Sequence, residues 1–202
     1  MTAQLGIALL LACAATLVAR RFALPRAARI AIVLAAGVLA FLPFGGLMLA
    51  GYLRAALGDL SIVSTALLLI TLFQYVSGKR YMATNETGIL MAAAVIAGVL
   101  LYPAALGLTY LDPYALGYAS PVFAGALLLL ALAAWYLRLE WLVALLVVAV
   151  LARLAGALES RNLWDYLIDP WLVLYGLLWL ARWGLQRISR AAPRSALSSS
   201  TR

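Results

Sequence analysis

The chain reads LLLLALAA at residues 127–134 and LVALLVVAVLA at residues 142–152, two stretches without one polar side chain. Similar apolar runs fill the chain from end to end, and nearly all charges lie in the gaps between them. Of the 202 residues, 67% are hydrophobic and only 11% are charged. Because so little polar surface cannot cover the apolar surface of a fold in water, we expect an integral membrane protein.

The runs are unbroken and do not alternate, which favours helices over the alternating strands of a membrane barrel. The predicted fold is an all-α, polytopic transmembrane helix bundle of about seven spans, forming one domain over residues 1–185. The predicted spans are 4–19, 29–52, 60–77, 87–107, 121–137, 139–158 and 168–185. The first run lacks the flanks of a cleaved signal, so we expect it to be retained.

The basic residues predict the orientation of the bundle. When successive gaps are placed on alternate sides, twelve of the fifteen basic residues share one side. They are Arg20, Arg21, Arg26, Arg29, Lys79, Arg80, Arg138, Arg182, Arg187, Arg190, Arg194 and Arg202. An excess of Lys and Arg marks the cytoplasmic side, so we expect the N-terminus outside and the C-terminus inside. The net charge of +8 is therefore interpreted as a topology signal.

Two segments bear on this topology. Residues 121–158 form either two spans or one bent helix. Two spans require a turn near Arg138 that contains neither Gly nor Pro, but they agree better with the charge distribution. Residues 186–202 are rich in Arg, Ser and Ala, and we expect a basic, disordered cytoplasmic tail that lies against anionic lipid or binds a partner.

The composition excludes several kinds of chemistry. The chain has no histidine, which removes His-ligated haem and His-based zinc or general-base sites. Cys13 is the single cysteine and has no partner within the chain. We expect no metal, no cofactor and no nucleic-acid partner. The expected partners are membrane lipids, another envelope membrane protein or a lipid-linked substrate.

Aspartates precede three of the predicted helices on the outer side. They are Asp59, Asp112 and Asp169, and a proline follows the last two. A carboxylate accepts hydrogen bonds from free N–H groups at a helix N-terminus and complements the helix dipole there. Helix capping is therefore the first interpretation of all three, and a binding site is the alternative.

Two outer segments carry most of the polar and aromatic residues. Segment 103–120 places Tyr110, Tyr114 and Tyr118 at every fourth position, which predicts one helical face at head-group depth. Segment 159–171, ESRNLWDYLIDPW, is the densest polar and aromatic cluster. Its side chains suit either the membrane interface or the recognition of a sugar ring.

Arg153 lies more than one turn inside the sixth apolar run. Such an arginine either pairs with a carboxylate, for which Asp59 is the first candidate, or extends to the lipid head groups. Arg54 and Arg161 are expected at a similar depth, so the three arginines form a hypothetical phosphate or lipid head-group site. The candidate ligand-binding residues are Arg54, Asp59, Arg153, Arg161, Asn162, Trp164, Asp165 and Asp169.

No Asp, Glu, Lys or Arg falls near the centre of a predicted span, which disfavours a proton relay or an ion-coupled carrier. Pro43, Gly45 and Gly46 predict a kink in the second span. The preferred function is a non-enzymatic protein of the inner (plasma) membrane that binds a lipid or lipid-linked molecule at the outer face or assembles with another envelope protein. A small transporter or flippase is the first alternative. An intramembrane transferase or hydrolase that uses carboxylates is the second.

Overall fold

The computed structural model describes residues 2–118 and 120–191, and within these ranges the chain is all-helical apart from one two-residue strand pairing. This confirms the predicted fold class at the level of secondary structure. The long helices are α1 (Thr2–Ala19), α2 (Arg26–Ala40), α4 (Ile62–Ser77), α5 (Thr84–Ala105), α6 (Pro121–Tyr136), α7 (Glu140–Leu154) and α9 (Pro170–Ala191). The shorter elements are β1 (Pro43–Phe44), β2 (Leu47–Met48), α3 (Leu49–Leu57), a 3-10 helix (Tyr114–Tyr118) and α8 (Trp164–Leu167).

The long helices match the predicted apolar segments. Six of the seven predicted spans each correspond to one long helix, and the second span, 29–52, is broken. Within the described ranges, only α5 is both long and apolar enough to cross a membrane. Helical stretches Gln4–Ala19, Ile62–Ser77 and Pro121–Tyr136 are apolar but shorter. Helix length and composition therefore support one crossing, and they do not establish seven.

The second predicted span is interrupted rather than kinked. Helix α2 ends at Ala40, and strands β1 and β2 then pair antiparallel, with Phe44 opposite Leu47. The two residues between them, Gly45 and Gly46, both have positive φ, which glycine adopts without strain and which a tight two-residue hairpin turn requires. The chain then continues as the separate helix α3.

Segment 121–158 forms two helices, as its charge pattern predicts. Helices α6 and α7 pack against each other across a turn at residues 137–139. Arg138 adopts a left-handed conformation with φ 59°, and the N–H of Leu139 donates to the carbonyl of Ala134 at 2.8 Å. This pattern terminates a helix without glycine or proline.

Helix α4 lies between two parts of the core. On one side it packs with α1, α2 and α3 around Ile7, Ala40 and Leu60. On the other side it contributes Val63 to a larger cluster formed with α5, α7 and the residues before α9. Helix α4 therefore contributes to both parts of the core, and a cavity adjoins each of its ends.

Small residues set the distance between α5 and α9. A Cβ atom on Gly98 would lie 2.6 Å from Val173, so the two backbones approach more closely than any larger residue allows. Ala94, one turn away, is also buried. Helix α9 continues to Ala191, so residues 186–191 are helical within the segment predicted as a tail, and 192–202 lie outside the described residues.

Candidate binding cleft

A cleft of about 360 Å³ opens at the N-terminal end of α4, between the end of α5 and the segment that leads into α9. We call this end of the bundle the carboxylate end. The polar lining residues of the cleft are Asp59, Tyr102, Tyr114, Ser160, Asp165 and Asp169. Three of these belong to the predicted site: Asp59, Asp165 and Asp169.

Asp169 joins α4 to α9. Its Oδ1 accepts a hydrogen bond from the N–H of Leu172 at 2.9 Å, which caps α9 as its position before Pro170 predicts. Its Oδ2 accepts from the N–H of Ser61 at 2.9 Å, at the start of α4. Because Asp169, Ser61 and Leu172 are all buried, one carboxylate satisfies two buried donors.

Asp165 and Tyr114 connect the loop before α9 to the segment that follows α5. The Tyr114 hydroxyl donates to Oδ2 of Asp165 at 2.9 Å. Burial, together with this hydrogen bond to a carboxylate, raises the pKa of Tyr114 above its usual range. The ring of Tyr114 also contacts that of Tyr118 edge to face, with centroids 5.7 Å apart. Tyr110 does not share this arrangement and is fully exposed, so the three tyrosines do not form one face.

Asp59 does not cap α4, contrary to the capping prediction. Ser61 is the N-cap residue, and its hydroxyl oxygen accepts from the N–H of Ser64 at 3.0 Å. Asp59 instead receives two hydrogen bonds from the guanidinium of Arg54, five residues earlier. Arg54 also donates to Oε1 of Glu159 at 2.8 Å. The hydrogen bonds to the two carboxylates raise the pKa of the Arg54 guanidinium, and those to Asp59 have the larger effect. Asp112 does cap its turn, because its Oδ1 accepts from the N–H of Ala115 at 3.0 Å.

The expected pairing of Arg153 with Asp59 is wrong. Arg54 lies nearer in the chain and occupies Asp59, while Nε of Arg153 donates to the backbone carbonyl of Arg161. This bond connects the end of α7 to the loop that follows it. None of Arg54, Arg153 and Arg161 lines the cleft.

Asn162 and Trp164 hold the loop before α9 against the segment that follows α5. Asn162 is 0% exposed; its Nδ2 donates to the carbonyl of Tyr114 at 2.8 Å, and its Oδ1 accepts from the N–H of Trp164 at 3.0 Å. The indole of Trp164 donates to the carbonyl of Pro113 at 2.9 Å, and its ring packs on Phe123. These predicted ligand-binding side chains are therefore occupied by contacts within the protein.

The cleft has a clear chemical preference. Three carboxylates line it and no Lys or Arg does, so an anionic phosphate placed there meets like charge. Hydroxyl and ammonium groups are the complementary ligands, because carboxylate oxygens accept more than one hydrogen bond each. The three carboxylates are not arranged to hold a metal ion, and no such group occurs among the described residues.

Tyr102 and Ser160 line the cleft but were not predicted as site residues. Tyr102 lies in the last turn of α5 beside Pro103, and the sequence alone does not distinguish it from the other tyrosines of the chain. Ser160 lies within the polar cluster 159–171, and only its place beside the cleft separates it from its neighbours.

No known protein family, characterised protein or solved structure matches the chain.

Proposed function

We propose that the chain is a multi-pass protein of the inner (plasma) membrane that holds the polar head group of a lipid or lipid-linked molecule in the cleft at its outer face. The proposal has two parts, the membrane topology and the ligand. Each rests on a different observation and has its own test.

The apolar exterior of the helices carries the topology. Large side chains along their outer surfaces are more than half exposed, including Val99, Leu100, Leu128, Leu129 and Leu154. In water an apolar surface of this extent drives association, whereas in a bilayer it contacts acyl chains. The seven long helices contain 15–22 residues and so measure about 22–33 Å, near the ~30 Å of a bilayer's hydrocarbon core.

The arrangement of helix ends supports seven crossings in alternating directions. Helix α4 begins at the carboxylate end and finishes at the opposite end, where Arg29 of α2 donates to the carbonyl of Tyr75. At that opposite end the side chain of Glu86, in the first turn of α5, accepts from the N–H of Trp141 at the start of α7. The end with Lys79 and Arg80 is thus proposed to be cytoplasmic, and the carboxylate end external.

Cysteine labelling tests the topology. In a Cys13→Ala background, Thr109→Cys at the carboxylate end should react with a membrane-impermeant maleimide in intact cells. Ser189→Cys near the end of α9 should react only after permeabilisation. Both positions are exposed in the fold, so access depends on the membrane alone. Labelling of both positions in intact cells would contradict the proposed topology.

The acidic, hydroxyl-lined cleft carries the ligand proposal. Its lining includes Leu101 and Ala105 of the apolar helix α5 beside Asp165 and Tyr114, which suits a molecule with one apolar part and one polar part rich in hydrogen-bond donors. Each carboxylate of the lining already has a partner within the protein: Arg54 for Asp59, Tyr114 for Asp165 and two backbone N–H groups for Asp169. This argues against a free carboxylate that acts as a catalytic base. We therefore propose a binding role without catalysis.

Copurification tests the ligand. The protein is purified in mild detergent, and bound lipid is measured by native mass spectrometry. Asp165→Asn should reduce the bound lipid severalfold, because the neutral amide weakens the attraction for hydroxyl or ammonium donors. Asp112→Asn is the matched control, since Asp112 lies at the same end, outside the cleft, and asparagine still caps its turn. A stoichiometric protein partner with no bound lipid would overturn the ligand and favour an assembly role.

A further inference from the structure

A second cavity, of about 340 Å³, lies at the opposite end of α4 from the acidic cleft. We call this the basic end. Ser61 at the start of α4 and Tyr75 in its last turn are separated by about 21 Å along the helix, so the two cavities do not overlap. The lining residues that matter here are Arg20, Arg29, Gln74, Tyr75, Lys79 and Arg80.

The backbone brings these residues together at three helix ends. Arg20 directly follows α1, and Arg29 lies in the first turn of α2. Helix α4 ends at Ser77 and is capped by Gly78, whose positive φ of 70° and N–H bond to the carbonyl of Gln74 turn the chain back. Lys79 and Arg80 follow this turn, so cations from distant parts of the sequence surround one space.

Arg29 is held rigidly. Its Nε donates to the carbonyl of Leu24 at 3.0 Å and its Nη1 to the carbonyl of Tyr75 at 3.3 Å. A guanidinium has five N–H groups, so three remain for a ligand. The Arg20 guanidinium lies 5.8 Å from the centre of the Tyr75 ring, as does that of Arg29. The Tyr75 ring thus lies beside two cations.

The Tyr75 hydroxyl is an unsatisfied buried group. Tyr75 is 8% exposed, and its hydroxyl has no hydrogen-bond partner among the described residues. Native proteins rarely leave a buried polar atom unpaired, because its lost contact with water is not recovered. A ligand with acceptor oxygens in this cavity would supply the missing partner.

The positive charge at the basic end is also unbalanced. Among the side chains that the structure describes, ion pairs occur only at the carboxylate end, between Arg54 and its two acidic partners. No acidic residue lines the basic cavity. Glu86 is directed to the backbone N–H groups of Trp141 and Leu142 instead. Arg80 donates to Thr84, whereas the side chains of Arg20 and Lys79 make no hydrogen bond to the part of the chain that the structure describes.

From these observations we infer that the basic cavity is a binding site for a phosphate group. Its location on the cytoplasmic side rests on the proposed topology. Phosphate oxygens accept hydrogen bonds from the forked N–H groups of arginine, from the ammonium of lysine and from a tyrosine hydroxyl. The head group of an anionic lipid and a free phosphorylated solute share this chemistry. The site is independent of the acidic cleft, so failure of either proposal leaves the other standing.

Calorimetric titration of the full chain in mild detergent and phosphate-free buffer tests the site. The probes are dihexanoyl phosphatidic acid, glycerol phosphate and dihexanoyl glycerol, which lacks phosphate. Saturable binding of both phosphate compounds would show that the phosphate itself is recognised. Binding of phosphatidic acid alone would identify a lipid head group as the ligand. Equal binding of dihexanoyl glycerol, or no saturable binding of any probe, would overturn the inference.

Matched variants separate the site from diffuse charge. Arg20→Gln and Lys79→Gln should each weaken phosphatidic acid binding about tenfold, because each removes a charge-assisted hydrogen bond. Arg21→Gln removes the same charge beside the cavity but outside its lining, and should leave the affinity nearly unchanged. An equal loss in Arg21→Gln would show non-specific attraction and contradict the site.

The tyrosine gives an independent readout. Tyr75→Phe removes only the hydroxyl and should weaken binding severalfold, while the unliganded variant should be at least as stable to heat because an unsatisfied group is gone. Tyr81→Phe is the control, since Tyr81 is exposed and does not line the cavity. Unchanged affinity in Tyr75→Phe would overturn the assignment of this hydroxyl to the ligand.

Discussion

The buried side chain of Asn162 occupies the space that a Cβ atom on Gly117 would require. A Cβ built on Gly117 would overlap the amide oxygen of Asn162. In addition, the N–H of Leu163 donates to the carbonyl of Gly117 at 2.9 Å. The absence of a side chain at Gly117 therefore allows the 3-10 helix to pack against the loop that leads into α9, and so helps to form one wall of the acidic cleft.

Gly117→Ala should destabilise the protein by about 1–3 kcal/mol, the usual cost of overpacking a filled site. The clash also displaces Asn162, whose amide would lose two partly buried hydrogen bonds. The measurement is thermal unfolding in detergent followed by circular dichroism. Gly125→Ala is the control, because a Cβ there meets nothing within 4 Å and alanine favours the helix. A variant Gly117→Ala as stable as Gly125→Ala would contradict the packing described.

Asp169→Ala should lower the free energy of unfolding by about 3 kcal/mol, since it leaves two buried backbone donors without partners at a typical cost of 1–3 kcal/mol each. The donors are the N–H groups of Ser61 and Leu172. Asp112→Ala removes an exposed cap of a short turn and should cost about 1 kcal/mol or less. Equal losses in the two variants would show that the link between α4 and α9 contributes nothing beyond capping.

Apolar runs and turn residues predict most of the helices of this fold. The runs fix where the long helices lie, because backbone groups beside apolar side chains are best satisfied within a helix. They do not predict that Gly45 and Gly46 close a strand hairpin, since a helix kink and a complete break share the same local sequence. The capping roles of Asp112 and Asp169 are readable from the proline that follows each one.

The contents of the candidate sites were less predictable, for a physical reason. Arg54 and Arg153 both lie near the carboxylate end, and only the fold decides that Arg54 forms the ion pair with Asp59. The basic cavity illustrates the same limit. Its cations were assigned to one side of the membrane, but the proximity of Arg20, Lys79 and the Tyr75 hydroxyl depends on how three helix ends pack.

Arg54→Gln should reduce stability by about 1 kcal/mol or less, because the ion pairs are partly exposed and such pairs are screened by solvent. The side chains of Arg54 and Asp59 are 31% exposed, and that of Glu159 is 82% exposed. Denaturant unfolding at low and high salt measures the effect, and the difference from wild type should shrink as salt rises. A large loss that does not depend on salt would indicate that Arg54 has a structural role beyond these pairs.

Stability should decrease in alkaline solution through Tyr114. Its pKa is raised in the folded state by burial and by the hydrogen bond to Asp165, so the folded protein holds this proton more tightly than the unfolded chain does. The resulting stabilisation is complete below the unfolded tyrosine pKa of about 10 and is lost as the pH rises from there through the folded pKa. Unfolding measured across this range should show a shallower pH dependence in Tyr114→Phe than in wild type. Tyr110→Phe, at a fully exposed position of the same segment, should retain the wild-type dependence of stability on pH. The same dependence in Tyr114→Phe would contradict the assignment of this effect to Tyr114.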